Sequence, residues 1–429
     1  MTHPQRGPLR VVHLAAHDGR GGAARAMRRL HAGLAALGVD SRVLVRERFS
    51  AEPGIAAFAP SGHPSRARAA RRIARDLARY EWACPPADEP FSDDRAPLGA
   101  RLLGAVPEAD VYNLHWVGGF VDWRAVLPAL ARRAPVVFTL SDLNPITGGC
   151  HYDLGCGRYR DACGACPRLR STDPEDLSAA VLARKLRALD AVAPGRLQLV
   201  AGSRWLAERI RESRLGRDLP TAVIPRAVDT ARFRPRGRAA ARRRLGLSAG
   251  DRVALFVSTR LANRRKGLEH ALAAAETLRE LPGFRLVCVG FGPRSDWRGL
   301  PVLEIGHVAD DERMADLLSA ADVLLAPALQ EAFGLAVLES LSCGTPVVAF
   351  DTGAAPDLVK PGVHGFVVPV GQARAMGQAA RAVLCDDAGR ARMGRACRQL
   401  ALDGYGLERQ AQRYRDLYRS LLGASEAGT

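Results

Sequence analysis

The chain has 429 residues, of which 62 are Lys or Arg and 45 are Asp or Glu, for a formal charge of +17. Apolar residues make up 47% and charged residues 25%, a globular composition at a length suited to two or three domains. That excludes disorder, collagen and a small disulfide scaffold. No run of about 18 apolar residues occurs, and Met1 to Arg10 lacks the apolar core of a signal peptide, so the expected setting is the cytoplasm. A pI near 10 invites a nucleic-acid reading. Against it, the charge is spread along the whole chain and aromatics are only 6%. Only Lys185, Lys266 and Lys360 are lysines. Arginine- and alanine-rich usage fits a GC-rich coding sequence without any ligand, so no nucleic-acid partner is expected.

Leu9 to Ala15 is a short apolar run, His17-Asp18-Gly19-Arg20-Gly21-Gly22 a glycine turn, and Ala23 to Leu37 has apolar residues at helical spacing. This is strand, turn and helix. Val39 to Val45 is the next expected strand, followed by Val111 to Leu114, Pro135 to Leu140 and Leu197 to Ala201 as buried parallel strands. Between them, Ser61 to Trp82 is an arginine-rich helical stretch with Ile73, Leu77 and Tyr80 on one face. It suits either a surface helix packed on the sheet or an interfacial helix drawn to anionic lipid. Pro225 to Pro235 has two prolines and little periodicity, which marks a hinge. A second series of strands follows at Val253 to Ser258, Arg285 to Gly290, Val302 to Ile305, Val323 to Pro327 and Pro346 to Phe350, each with a helical pattern after it. Leu407 to Leu422 is a closing helical segment without an obvious core of its own.

The expected fold class is α/β, with two doubly wound parallel-sheet, Rossmann-like domains facing a cleft. The boundaries read as 1–222 for the first domain, including a Cys-rich loop at 147–169, 223–236 for the hinge, 237–405 for the second domain, and 406–429 for a closing helix and tail.

In the second domain, Ser258-Thr259-Arg260 ends a strand and leads through Leu261 to Arg265 into Lys266-Gly267, which opens a helix. Cations at a strand end beside a helix N-terminus suit a bound phosphate, because the dipole and the free N–H groups act in the same sense. A solvated cluster is the plainer reading, yet a chain that uses arginine almost everywhere keeps a lysine here. The segment Glu331-Ala332-Phe333-Gly334-Leu335-Ala336-Val337-Leu338-Glu339 places two carboxylates eight positions apart around the start of a helix. N–H groups near Phe333, Gly334 and Leu335 would face an anionic or hydroxyl-rich group, with Gly334 allowing close approach.

These segments, with Gly306-His307-Val308 and Ser342-Cys343-Gly344-Thr345-Pro346-Val347-Val348, resemble the donor half of family 4 glycosyltransferases, retaining enzymes of the GT-B fold. In the first domain, Gly19-Gly21-Gly22, Asn113-Leu114-His115-Trp116 and Thr147-Gly148-Gly149-Cys150-His151-Tyr152 resemble a bacterial exopolysaccharide branch. The resemblance implies that Arg260 and Lys266 bind the donor diphosphate, Glu331 holds hydroxyls of the transferred sugar, and Glu339 accepts from the ribose. It further implies that Phe333, Gly334 and Leu335 contact sugar and phosphate, that His307 and Val308 lie against the base, and that Gly21 and Gly22 approach the donor phosphates or acceptor. No protein nucleophile stands out. The implied chemistry is metal-independent front-face transfer in which the leaving phosphate helps deprotonate the acceptor hydroxyl.

Two departures stand out. Ser141-Asp142 occupies the place of the family's usual His-Asp, and Arg226-Ala227 that of a common Asn-Gly pair. A serine hydroxyl cannot act as an imidazole. His115, at the end of the preceding strand, either reaches the same cleft or is a histidine satisfied near the sheet edge. With Ser141 and Asp142 it forms the candidate set for donor-sugar or acceptor contacts.

Four of the nine cysteines, Cys150, Cys156, Cys163 and Cys166, have the spacing C-x5-C-x6-C-x2-C in a Gly- and Arg-rich loop. Four such thiolates suit structural tetrahedral zinc, with His151 as an alternative ligand; two disulfides or unbonded thiols are the competing readings. Cys84, Cys288, Cys343, Cys385 and Cys397 read as packing or incidental residues.

The expected activity is retaining transfer of a sugar, of hexosyltransferase type, from a nucleotide-sugar donor to a saccharide or lipid-linked acceptor in surface polysaccharide or glycoconjugate synthesis. The alternatives are a GT-B epimerase or phosphorylase and a non-catalytic, basic GT-B-like binding protein. Peripheral contact with the anionic inner face of the plasma membrane goes with a lipid-linked acceptor.

Overall fold

Apolar runs of four to eight residues separated by helical patterns force parallel pairing, because each crossover helix returns the chain to the same end of the sheet. The computed structural model, which describes residues 7–19, 21–58, 64–80, 90–292 and 296–426, has this organisation twice. Cys84 and both ends of the Ser61 to Trp82 stretch lie outside the described residues.

Among the described residues, the chain forms two units. One holds the residues up to Pro225 together with Leu407 onward, and the other holds Arg226–Gly406. The first unit contains β1 (Arg10–His17), β2 (Asp40–Glu47), β3 (Ile55–Ala57), β4 (Val111–Leu114), β5 (Val136–Thr139), β6 (Leu197–Ala201) and β7 (Thr221–Val223). They pair in the order β3-β2-β1-β4-β5-β6-β7, every neighbour parallel. The second unit contains β8 (Arg252–Arg260), β9 (Phe284–Phe291), β10 (Val302–Gly306), β11 (Val323–Ala326), β12 (Val347–Phe350) and β13 (Gly365–Val368), in the order β10-β9-β8-β11-β12-β13 and again all parallel. All ten strands anticipated from the sequence form, within one or two residues at most ends. The three that it missed, β3, β7 and β13, are three or four residues long and lie at sheet edges. The strand order reverses between β1 and β4 and between β8 and β11, the switch points where α/β sheets open a crevice at their carboxyl ends.

The closing helix, Leu407–Glu426, completes the core of the first unit. Its Tyr414 and Tyr418 are fully buried with Val11, Leu30, Leu34 and Val111. Both phenols find partners on the sheet: Asn113 Nδ2 donates to the Tyr418 hydroxyl at 2.6 Å, and Thr139 Oγ1 lies 3.1 Å from the Tyr414 hydroxyl. The approach is close enough that a Cβ on Gly33 would meet the Leu407 carbonyl oxygen at 2.9 Å.

The helix Pro64–Ala78 has no buried residue, but Leu77 and Tyr80 pack against Phe91, Cys166, Leu169, Leu177 and Val181, and the Tyr80 hydroxyl accepts from Leu177 N at 2.8 Å. These contacts are with the Cys-rich loop and the helix that follows, and Asp76 pairs with Arg95 at 2.9 Å. No helix among the described residues is long and apolar enough to cross a membrane.

The second unit is tied together by one buried carboxylate. Asp322, at the start of β11, accepts from Arg242 at 2.7 Å and from Val253 N at 2.8 Å, with Arg238 at 3.1 Å and Arg390 at 3.2 Å. Three arginines from two helices, Arg238 and Arg242 on one and Arg390 on the other, share this anion, and removing it strands their charge in a water-poor site. Asp322→Ala should therefore destabilise the second unit by about 3–5 kcal/mol, read as a loss in urea unfolding free energy.

Candidate active site

At the switch point of the second sheet, the loop after β8 runs through a 3-10 turn, Arg264–Lys266, to Gly267. Asn263 caps the turn by accepting from Arg265 N at 3.0 Å. Gly267 has φ +76°, and a Cβ there would meet the Pro327 carbonyl oxygen at 1.9 Å, so only glycine lets this loop lie on the end of β11. Leu329 N donates to the Arg265 carbonyl at 2.8 Å and draws the following segment onto the turn. Glu331 is thereby set against the cations. Its Oε2 touches Lys266 Nζ and lies 3.3 Å from Arg265 Nη1, while Arg265 also donates to the Gln330 carbonyl at 2.6 Å.

Burial pushes the Glu331 carboxyl up, but the charges of Lys266 and Arg265 outweigh it and hold the group down at about 2. Glu331 is an anion at all ordinary pH values. Two residues that the sequence points toward different parts of a donor, Lys266 and Glu331, are thus direct partners here. Arg265, nearly buried and part of the same ion pair, was not singled out from the sequence; its place in the run Asn263-Arg264-Arg265-Lys266 was the available signal.

The helix after Glu331 spans Leu335–Ser342 and starts at Gly334, whose φ is +93°. A helix start leaves its first N–H groups without intrahelical acceptors, so Leu335 and the residues beside it present donors at this sheet edge. Phe333 is buried and its carbonyl accepts from Ala354 N at 3.0 Å, while Thr352 Oγ1 accepts from Glu331 N at 3.2 Å. Thus the loop after β12 backs the carboxylate; a Cβ on Gly353 would meet the Glu331 carbonyl oxygen at 2.8 Å. Glu339 is buried within the helix. Arg260 is exposed at the end of β8. His307 is exposed just past β10 and stacks on Phe291 with ring centroids 4.0 Å apart, while Val308 beside it is buried. Phe291, more than half exposed at the end of β9, is an aromatic surface that the sequence reading did not single out.

In the first unit, Gly21 has φ +74° and opens the helix Gly21–Ala36 with Gly22. Before it, Asp18 accepts from Phe49 N at 2.6 Å, Ser50 N at 3.1 Å and the Ser50 hydroxyl at 2.5 Å. Burial opposes its charge, but the Ser50 hydroxyl and the Phe49 and Ser50 N–H groups together lower its pKa. His115 is buried and its Nε2 lies 2.9 Å from Nδ1 of His13. Burial, with His31 nearby, pushes His13 down to about 3, so the pair adds no positive charge at neutral pH through His13.

Ser141 is half-buried after β5. Asp142 is buried, and its Oδ2 lies 2.6 Å from Nδ1 of His151. His151 is held from three sides, with Ser92 Oγ 2.8 Å from its Nε2 and the Trp116 indole N–H 3.2 Å from its Nδ1. An imidazole therefore stands on Asp142 even though residue 141 is serine. The sequence considered His151 only as a metal ligand, because nothing in the spacing links positions nine residues apart across a loop.

None of the eight described cysteines is disulfide-bonded. Cys150 and Cys166 are buried, Cys163 is half-buried and Cys156 is exposed. Among the described residues, no group of three or more His, Cys, Asp or Glu side chains is closed to metal-holding geometry, so the assembled tetrahedral set expected from the sequence is not present as such. Lys185, fully buried, donates to the Asn144 carbonyl at 2.5 Å and the Thr147 carbonyl at 3.0 Å and fixes the entry to this loop.

Two doubly wound parallel-sheet units in this order form the GT-B architecture, and solved structures agree over nearly the whole chain. Sucrose-phosphate synthase from Thermosynechococcus elongatus superposes with a TM-score of 0.67 at 22% identity, covering 97% of this chain and 100% of that one. Anabaena HepE in complex with UDP-glucose gives 0.66 at 17% identity, covering 96% and 100%.

Residues 251–386 match the family model for Glycosyl transferases group 1. D-inositol 3-phosphate glycosyltransferase of Segniliparus rotundus is 37% identical over 159 residues, 34% of this chain and 35% of that protein. The enzyme of that name from Acidothermus cellulolyticus is 40% identical over 166 residues, 34% and 36% respectively. The match to that from Saccharomonospora viridis reaches 33% identity over 224 residues, 48% and 52%. The chain thus spans between about a third and a half of the length of these curated relatives.

The ion pair makes stability depend on pH in a defined direction. Because the folded pKa of Glu331 is depressed from 4.5 to about 2, its contribution is fully present above pH 4.5 and is lost as the pH falls toward 2. The stability difference between the native chain and Glu331→Gln should shrink across that window by up to about 3 kcal/mol, followed by urea unfolding at stepped pH.

Proposed function

We propose that this chain is a retaining glycosyltransferase of family 4 type that moves a sugar from a nucleotide-sugar donor to a saccharide or lipid-linked acceptor. The observation that carries this reading is the Lys266, Arg265 and Glu331 cluster at the carboxyl edge of the second sheet, inside the segment matching the group 1 family. Cleaving a sugar from a nucleoside diphosphate leaves negative charge on the departing phosphate. Cations fixed beforehand stabilise that charge more in the transition state than in the ground state.

In this reading Lys266 and Arg260 face the diphosphate and Arg265 holds the pair from behind. Glu331, kept ionised, accepts hydrogen bonds from hydroxyls of the transferred sugar. Glu339 accepts from the ribose, and the N–H groups of Phe333, Gly334 and Leu335 contact sugar and phosphate. The exposed ring of Phe291, stacked on His307 beside Val308, offers the base an apolar surface. The first unit is assigned to the acceptor, with Gly21 and Gly22 toward phosphate or acceptor and Asp142, Ser141 and His115 as its polar groups. The departing phosphate takes the acceptor proton as the new bond forms on the same face, and these fixed cations supply the charge stabilisation that a metal ion provides in other transferases.

In this reading the reaction belongs to surface polysaccharide or glycoconjugate synthesis at the inner face of the plasma membrane. The helix Pro64–Ala78 supports that placement, because it carries five arginines and one aspartate and buries none of them. Such a helix is drawn to anionic headgroups.

Two measurements test the reading. A saturating matched donor from a panel of UDP-, GDP- and ADP-sugars should stabilise the folded chain by about 2.7 kcal/mol at a hundredfold excess over Kd; no stabilisation by any of them moves the assignment to a non-catalytic binder. With the matched donor and an accepted sugar, Lys266→Ala should lower turnover by about a hundredfold or more, and unchanged turnover removes Lys266 from the donor site.

A further inference from the structure

The loop from Thr147 to Leu169 brings its four cysteines to one place. Cys150, Cys156, Cys163 and Cys166 all line a single cavity of about 20 Å³, closed by Phe91 and Tyr159. A space of that size takes one water-sized sphere, or one metal ion. Nothing in the sequence spacing required this convergence; the backbone produces it. Gly164, between Cys163 and Cys166, has φ +141°, and a Cβ there would meet the Pro174 carbonyl oxygen at 2.0 Å. Ala165 follows at φ +42°. This tight turn aims both sulfurs of the C-x2-C pair at the cavity.

Backbone N–H groups point at the sulfurs. Gly148 N lies 3.3 Å from Cys163 Sγ, and the N–H groups of Arg168 and Leu169 are directed at Cys166 Sγ. The surroundings also hold a counter-charge. Lys185 is fully buried, and its ammonium is close enough to Cys150 and Cys163 to feel their charge. Four thiolates around one divalent ion carry two net negative charges, which gives this buried cation an anionic neighbour.

We propose that Cys150, Cys156, Cys163 and Cys166 bind one structural zinc ion, and that this centre positions His151 on Asp142. Four soft sulfur donors around a metal-sized cavity select a tetrahedral thiophilic ion, and each thiol gives up its proton to solvent on ligation. The four residues line one cavity without being closed on a common point, and Cys156 is the exposed member, so ligation requires its side chain to turn inward. Because Cys150 immediately precedes His151, fixing its sulfur restrains the backbone that carries the imidazole between Asp142 and Ser92. This assignment is independent of the glycosyltransferase reading.

The test uses the purified full-length chain, kept reduced, with metal content and thiol titration measured on the same sample. The expected result is about one zinc per chain, with four thiols becoming titratable only after denaturation with a chelator. Cobalt(II) taken up in place of zinc should show the absorption of a tetrahedral thiolate site. Cys156→Ser, at an exposed position that apolar packing does not need, should stay folded and bind zinc more weakly. In the zinc-loaded chain the His151 imidazole resonance should shift when the metal is stripped, an effect that a remote structural ion would not produce. A folded, reduced chain that contains no metal and takes up no added zinc overturns the proposal, as does recovery of the four cysteines as two disulfides. Zinc binding with an unmoved His151 resonance overturns the positioning role.

Discussion

Parallel pairing in both sheets is the constraint on which the rest of this structure depends. A parallel neighbour can be reached only through a crossover, so every strand in a unit ends at the same edge, and every loop with freedom to carry polar side chains is delivered there. In the second unit this brings Arg260 after β8, Phe291 at the end of β9, His307 after β10, Glu331 after β11 and Thr352 after β12 to one edge, although more than ninety positions of sequence separate the first from the last. In the first unit the same logic places His17, His115 and Asp142 at the ends of β1, β4 and β5.

Buried charge is the second organising theme, and it is handled alike at three places. Asp322 is shared by Arg238, Arg242 and Arg390; Glu331 is held by Lys266 and Arg265; Lys185 is held by two loop carbonyls. In each case the ion sits where strands or loops meet, and breaking it leaves a charge without water. The Asp322 network is closed on three sides and serves the fold. The Glu331 cluster stands at the carboxyl edge of the sheet, where the proposed donor site lies.

The central strands were legible because a strand covered on both faces is a continuous apolar run: VVFT in β5 and VLLA in β11 need no context. Three of the four edge strands, β3, β7 and β13, were not. Thr221–Val223 is only partly buried, and Gly365–Val368 is mostly half-exposed, so neither has the apolar density that marks a strand. Lys266 and Glu331 could be named from the sequence by residue type and placement, but their contact could not, since it depends on Gly267 resting against Pro327 and on Leu329 pairing with Arg265. His115 had two readings in sequence; the fold buries it with its Nε2 2.9 Å from Nδ1 of His13, a contact that no spacing predicts. His151 was legible only as a neighbour of Cys150, because a contact with Asp142 across a loop leaves no periodic trace.

The sequence by itself determined the alternation of buried strands and amphipathic helices, hence two parallel sheets, and it marked the glycines, the rare lysine and the paired glutamates of the proposed donor site. These are local properties, fixed by side-chain burial and backbone permissiveness over a few residues. Tertiary structure alone decided which charges meet, where the last helix goes and what the cysteines face. Leu407–Glu426 carries no core of its own, yet its tyrosines become the centre of the first unit's packing. Contacts of this kind join residues hundreds of positions apart, and the free energy that selects them is gained only when whole layers close and water leaves.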